Sequence, residues 1–99
     1  MKITYGIIVL NGDFLLRQVL ESIYDSAHAI CIAEGSVSYW NSQGVTNSTD
    51  DTLKIIKQFP DKENKIKLIS GTWKEKTEQC QAWFNLVPND TDYVWCVDS

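Results

Sequence analysis

Four short, largely apolar segments, separated by stretches of helical periodicity, constrain the fold of this chain most strongly. The first covers residues 3–10 and lacks the strict alternation of a half-buried strand. Related segments occupy residues 28–33, 65–70 and 92–97. Continuous apolar strands are typical of a parallel sheet that is covered on both faces. Their alternation with helices therefore predicts an α/β fold.

Three helices are predicted between these strands. The second is expected to begin at residues 48–52 and to end before Pro60, and the third to begin with a capping box at residues 72–75. The apolar residues that recur with helical period are Leu15, Leu16, Val19, Leu20 and Ile23 in the first helix, Leu53, Ile56 and Phe59 in the second, and Cys80, Phe84 and Val87 in the third.

The predicted order of elements is β-α-β-α-β-α-β in a single domain spanning residues 1–99. Right-handed crossovers through the helices give a Rossmann-like, mainly parallel sheet of about four strands with three helices. Residues 37–47 show no period and form a loop that is long enough to suggest a function, whose role the sequence does not specify.

Composition excludes several classes of partner. The net charge is −4 and the isoelectric point is near 4.7, which argues against nucleic acid or an anionic membrane as the main partner. No apolar stretch approaches the ~20 residues that a transmembrane helix needs. Three cysteines without close spacing fit neither a disulfide framework nor a zinc site, and favour a cytoplasmic location.

The residues at the ends of the predicted strands are the candidates for a binding site. In a parallel sheet the carboxyl ends of the strands share one edge, where ligands bind. Asn11, Glu34 and Asp98 follow or close the first, second and fourth strands, and Lys76 lies early in the third helix. Oxygen ligands of this kind favour Mg²⁺ or Mn²⁺ over zinc.

Each of these residues also has a purely structural interpretation. Asn11 can simply shape a turn, Glu34 can be a solvated strand end, Lys76 can be a surface lysine and Asp98 can be a fraying terminal residue. Motifs of rival classes are missing, since the turn after the first strand, residues 11–13, has no G-x-G-x-x-G pattern and no P-loop occurs.

Several short motifs occur in an order that resembles one known family. They are Ile8-Val9-Leu10-Asn11 at the end of the first strand, Leu20-Glu21-Ser22-Ile23 in the first helix, Ala33-Glu34-Gly35-Ser36 after the second strand, Ser48-Thr49-Asp50-Asp51-Thr52 before the second helix, and Val97-Asp98-Ser99. Over essentially all 99 residues, this set resembles the N-terminal half of a family 2 glycosyltransferase with the GT-A fold.

The resemblance implies a site for a nucleotide-sugar such as a UDP- or GDP-sugar. Glu34 would read the base, Lys76 would help to hold the nucleotide, and Asn11 would belong to the turn beside them. Asp98 would be the first aspartate of the family's Asp-x-Asp motif and would contact the donor. The second aspartate, the direct ligand of Mn²⁺ or Mg²⁺, would follow Ser99, so Asp98 would contribute to metal binding indirectly.

The resemblance also implies metal-dependent transfer of the sugar to an acceptor hydroxyl with inversion. The acceptor site and the catalytic base would lie in a C-terminal half beyond Ser99, so no catalytic residue is assigned here. We therefore expect the 99-residue chain alone to bind a donor weakly, to be inactive and to be prone to self-association.

Two departures from the family pattern are present. Residues 8–10 replace its Pro-Thr-Tyr turn, and Ala33-Glu34 replaces its Asp-Asp pair. The alternative hypothesis is a non-catalytic α/β binding or regulatory module that uses the same sheet edge.

Overall fold

The computed structural model describes residues 1–10, 13–37 and 52–98. Its elements confirm the predicted α/β fold and the predicted order. They are β1 (Ile3–Val9), α1 (Asp13–Ile23), β2 (Ala29–Val37), α2 (Thr52–Gln58), β3 (Ile66–Trp73), α3 (Lys76–Phe84) and β4 (Tyr93–Asp98). In this part of the chain, no helix is long and apolar enough to cross a membrane.

The four strands form one parallel sheet in the order β3-β2-β1-β4. The chain first builds outward from β1 through β2 to β3. It then returns through α3 to place β4 on the other side of β1. The strand order therefore reverses between β1 and β4, as in a doubly wound α/β sheet.

One face of the sheet carries the larger apolar core. Ile7, Ile30 and Ile32 on β1 and β2 are fully buried there. They are covered by Leu16 and Leu20 of α1, by Ile56 of α2 and by Phe59, which directly follows α2. The prediction is confirmed for these four residues, and Val19 and Ile23 of the first stripe also pack against this core. At about 1.5–3 kcal/mol for each large aliphatic side chain, this burial is the main stabilising contribution to the fold.

Helix α3 covers the opposite face of the sheet with Trp83. Its indole lies so close to β1 that a Cβ at Gly6 would approach the ring to 2.3 Å. Trp83 packs there with Cys31 and Ala33 of β2, and all three are buried. Gly6 therefore admits the flat indole against the backbone of a central strand.

The inner face of α3 differs in part from the prediction. Cys80 and Val87 pack against the Trp83 cluster as predicted. Gln79 and Trp83 are buried, whereas Phe84 is 52% exposed. The predicted capping box is also wrong, because residues 72–73 belong to β3 and the helix begins at Lys76. Parallel pairing of β2 with β3 extends as far as Val37 and Trp73, and this pairing takes precedence over the local helix signal.

Asp61 organises the turn that precedes β3. Its carboxylate accepts hydrogen bonds from the backbone N–H groups of Lys65 and Ile66, at 2.7 and 2.9 Å, and from the hydroxyl of Tyr24. Burial acts to raise the pKa of Asp61, but these hydrogen bonds outweigh it and lower the pKa. The turn thereby ties the end of α1 to the start of β3.

An ionic cluster around Asp90 lies at the amino edge of the sheet. The carboxylate of Asp90 contacts Lys2 Nζ at 2.9 Å and His28 Nε2 at 2.8 Å. These hydrogen bonds, first that from Lys2 and then that from His28, lower the pKa of Asp90 to about 2. The cluster joins the residues that precede β1, β2 and β4.

We expect this cluster to contribute to the pH dependence of stability. Because the folded-state pKa of Asp90 lies below its ordinary value of 3.8, the contribution is fully present above about pH 4 and is lost as the pH falls towards 2. Asp90→Asn should lower the free energy of unfolding at pH 7, and the difference from wild type should shrink below pH 4. Urea unfolding at several pH values measures this.

The matched control is Asp25→Asn, which removes an exposed carboxylate in the turn after α1. The control variant should follow the wild-type pH profile. Equal stability of Asp90→Asn and wild type at pH 7 would show that the cluster contributes nothing.

Candidate functional site

The candidate site lies at the carboxyl edge of the sheet, beside the reversal of strand order. Parallel register aligns Val9 with Glu34, and Glu34 with Ser70 of β3. The neighbouring row aligns Ile8 with Ala33 on one side and with Asp98 on the other. Glu34 and Asp98 are thus separated by one strand, with backbones roughly 10 Å apart at the usual strand spacing.

Glu34 is fully buried, which contradicts the interpretation of a solvated strand end. It also lies within β2 rather than after it, since β2 continues to Val37. Register places it in the row of Val9, on the sheet face that α1 and α2 cover. Thr52, the first residue of α2, is fully buried as well. A buried carboxylate is costly to desolvate unless it is paired or hydrogen-bonded, so the packing must hold Glu34 in a specific arrangement.

Gly35 follows Glu34 with an unusual backbone conformation. Its φ is +139°, a region that side chains rarely adopt, and a Cβ there would lie 1.7 Å from the carbonyl oxygen of Gly71. Gly71 is the residue aligned with Gly35 on β3. The absence of a side chain at Gly35 therefore lets β2 and β3 stay paired beyond Glu34.

Gln79 of α3 holds the same segment from the other side of the sheet. Its side-chain amide donates to the carbonyl oxygens of Ala33 and Gly35, at 3.0 and 3.2 Å. Only 4% of Gln79 is exposed. β1 ends opposite Glu34, so Gly35 lies beyond the pairing with β1 and its carbonyl takes a donor from α3.

Sequence reasoning missed Gln79. A glutamine on a helix is ordinarily solvated, and a signal was available only in its spacing of four residues from Trp83, which places both on one helix face. Together, Gln79 and Gly35 fix the backbone on both sides of Glu34.

The remaining predicted residues lie at the same edge or outside the described part. Lys76 is the first residue of α3 and is exposed. Because α3 follows β3, its N-terminus lies at the carboxyl edge of the sheet. The backbone of Asp98 ends β4 at that edge, but its side chain lies outside the described residues, as do Asn11 and residues 38–51. Of the loop predicted at residues 37–47, only Val37 is described, and it belongs to β2.

The described residues do not assemble a metal site. Across residues 1–10, 13–37 and 52–98, no three His, Cys, Asp or Glu residues lie close enough together to hold an ion. Glu34 and Asp98 are on different strands with β1 between them. The described residues alone therefore do not form a site for the Mn²⁺ or Mg²⁺ that the family resemblance implies, and the side chain of Asp98 lies outside them.

Cys31 is not a candidate nucleophile. Burial beneath α3 raises the pKa of its thiol to about 11, so the thiol is protonated at neutral pH. In the described part of the chain, Cys31, Cys80 and Cys96 form no disulfide.

Comparisons with known proteins add no family assignment. A scan against protein-family models found no matching family, and searches of curated proteins and of solved structures found no significant match.

The backbone conformation of Gly35 predicts that a side chain at this position destabilises the fold. Gly35→Ala should lower the free energy of unfolding by at least about 2 kcal/mol, because the variant combines a strained φ with an overlap against the Gly71 carbonyl. Gly71→Ala is the matched control, since its Cβ would meet Trp73 at an ordinary 3.5 Å. Urea unfolding compares the two, and equal losses would contradict the argument.

The hydrogen bonds of the Gln79 amide predict that removing this side chain also destabilises the fold. Gln79→Ala should destabilise the fold by about 1–3 kcal/mol, because two carbonyl groups lose their donor in a buried environment. Gln81→Ala on the exposed side of the same helix should change stability by less than about 0.5 kcal/mol. Urea unfolding measures both variants. An equally small decrease in the free energy of unfolding for both would show that the hydrogen bonds of Gln79 do not stabilise the fold.

Proposed function

We propose that this chain is the nucleotide-sugar-binding part of a glycosyltransferase. The observation that carries the proposal is the reversal of strand order between β1 and β4. In open α/β sheets, ligands bind at the carboxyl edge where the order reverses. In this chain, a buried carboxylate and the end of β4 flank that position.

Glu34 supplies recognition of the base in this proposal. A carboxylate accepts hydrogen bonds from the ring N–H groups of uracil or guanine, which a neutral strand end could not do as strongly. Its backbone is held by Gln79 and by the pairing of Gly35 with Gly71. A base-binding carboxylate needs such a fixed backbone, because a displacement of about 1 Å removes the hydrogen bond.

The far end of the nucleotide would lie towards β4. The separation of roughly 10 Å between the backbones of Glu34 and Asp98 is one that a single nucleotide can span. Asp98 would then lie beside the donor. Lys76 supports the proposal as an exposed cation in the first turn of α3, where the helix dipole also favours a phosphate.

The reaction proposed for the enzyme is transfer of the sugar to an acceptor hydroxyl with inversion, in the reducing cytoplasm. This chain contributes binding and orientation of the donor. The proposal includes a requirement for Mn²⁺ or Mg²⁺, which the titration with and without Mn²⁺ described below tests. The acceptor and the base that deprotonates it are assigned to no residue of this chain.

Ligand titration tests the proposal. UDP and GDP, each with and without Mn²⁺, are added to the ¹⁵N-labelled chain up to millimolar concentration. We expect shifts of the backbone amides of Glu34, Lys76 and Asp98. A spectrum that is unchanged at these positions at millimolar ligand would overturn the assignment and favour the alternative, a non-catalytic module.

Two variants separate the roles of these residues. Glu34→Gln should weaken nucleotide binding at least about ten-fold, because a charged acceptor is replaced by an amide. Lys76→Gln should weaken the binding of a nucleoside diphosphate more than the binding of the free nucleoside. Because Lys76 is exposed, the substitution should leave the fold intact.

Lys57→Gln is the matched control for Lys76. Lys57 is also exposed but lies in the last turn of α2, at the amino edge of the sheet. Equal weakening by Lys57→Gln and Lys76→Gln would indicate a general charge effect and would remove the assigned role of Lys76. Circular dichroism of Glu34→Gln checks that the variant retains the fold, so that a loss of binding can be assigned to the carboxylate.

A further inference from the structure

The side chain of Gln79 bridges two carbonyl groups that flank one residue of the proposed donor site. Its Nε2 atom donates hydrogen bonds to the carbonyl oxygen of Ala33 at 3.0 Å and to that of Gly35 at 3.2 Å. The carbonyl of Ala33 belongs to the peptide group that also contains the nitrogen of Glu34, and the carbonyl of Gly35 belongs to the second peptide group after it. The two hydrogen bonds therefore restrain the backbone on both sides of Glu34.

Glycine at position 35 makes such a restraint necessary. The Gly71 carbonyl excludes any larger residue there, since a Cβ would lie 1.7 Å from its oxygen. Glycine has the widest range of backbone conformations, so the chain directly after Glu34 is intrinsically the least restricted. Pairing with Gly71 limits this range within the sheet, and the hydrogen bond from Gln79 limits it from the side of α3.

Gln79 can hold this backbone because it is itself held in place. Only 4% of Gln79 is exposed, and the same is true of Trp83, which lies one helical turn later on the same face of α3. The indole of Trp83 packs with Cys31 and Ala33 of β2. Helix α3 is thereby seated on the strand whose carboxyl end Gln79 restrains.

We propose that Gln79 is a positioning residue that determines which bases the donor site accepts. This role rests on the proposed function, in which the carboxylate of Glu34 accepts a hydrogen bond from the base. Uracil and guanine carry a ring N–H that donates to a carboxylate, whereas the corresponding ring nitrogen of cytosine or adenine is an acceptor and is repelled by it. A displacement of about 1 Å removes such a hydrogen bond, so the preference requires that the backbone of Glu34 stays fixed.

A purely structural role for Gln79 predicts a different result. A loss of stability lowers the fraction of folded chain and weakens the binding of all nucleotides by the same factor. Displacement of Glu34 weakens only those nucleotides whose base donates to its carboxylate. The ratio of the affinities for UDP and CDP separates these two cases, because the two ligands share the ribose and the diphosphate and differ only in the base.

Titration of UDP and of CDP into the ¹⁵N-labelled wild-type chain and into Gln79→Met tests the proposal. Wild type should bind UDP at least about ten-fold more tightly than CDP, since a charged hydrogen bond distinguishes them. Gln79→Met keeps the length of the side chain without an N–H donor, and its preference should fall below about three-fold.

The outcomes distinguish this role from the proposed function. An unchanged ratio in Gln79→Met, or equal binding of UDP and CDP by wild type, would overturn the role of Gln79 and leave nucleotide binding in place. A wild-type chain that binds neither nucleotide would overturn the proposed function together with this role.

Gln81→Met is the matched control, because Gln81 lies on the exposed side of the same helix. The control introduces the same side chain and should bind both nucleotides as wild type does. Equal loss of the preference for UDP in Gln81→Met and Gln79→Met would contradict a role specific to Gln79.

The side-chain amide of Gln79 provides a readout in the wild-type chain that does not depend on the folding of Gln79→Met. Its ¹H–¹⁵N signals should shift when UDP is added and much less when CDP is added, because a base held by Glu34 acts on the segment to which the amide is bonded. The side-chain signals of Gln81 should not shift with either ligand. Unchanged Gln79 side-chain signals, at a UDP concentration that shifts the backbone amide of Glu34, would overturn the proposal.

Discussion

Burial of β1 and β2 on both faces is the constraint on which the rest of the structure depends. Each of these strands has a neighbouring strand on both sides, and helices cover the sheet above and below. Every side chain in the middle of the two strands must therefore be apolar or very small. Ile7, Ile30 and Ile32 meet this requirement on one face, and Gly6, Cys31 and Ala33 meet it on the other. The large side chains on one face and the small ones on the other explain why two helices pack on the first and a single tryptophan packs on the second.

The sequence predicted the fold because this constraint is visible in it. Uninterrupted apolar strands, alternating with helical stripes, indicate a parallel sheet, and Leu16 and Leu20 confirm the stripe of the first helix. The register and the strand order were not predictable, since they depend on crossovers rather than on local pattern. The extension of β2 past Glu34 was missed as well, because it depends on a glycine whose φ only the pairing with β3 requires.

The candidate site was predicted in part. The order of elements alone places Glu34 at the carboxyl edge, whereas its complete burial depends on tertiary packing that no local pattern shows. Gln79 illustrates what pattern reasoning cannot find. The buried face of a helix is recognised from the spacing of its apolar residues, and a polar residue on that face breaks the pattern. Gln79 is tolerated there because its side-chain amide donates hydrogen bonds to two carbonyl groups. The exposure of Phe84 has the same origin, since the helix is rotated to bring Gln79 and Trp83 to the sheet.

The position of β1 between β2 and β4 has a consequence for how the chain folds. Residues 3–8 pair on one side with β2, which follows α1 closely, and on the other side with β4, at residues 93–98. During synthesis the first strand to emerge is therefore completed last. The units β1-α1-β2 and β2-α2-β3 pair strands that follow one another along the chain and can close early, but the second edge of β1 must wait for nearly the whole chain. Such distant pairing slows folding, because the entropy of closing a long loop is lost before the contacts form. Until β4 arrives, β1 has an open edge, and this interval is when the chain depends most on protection from aggregation.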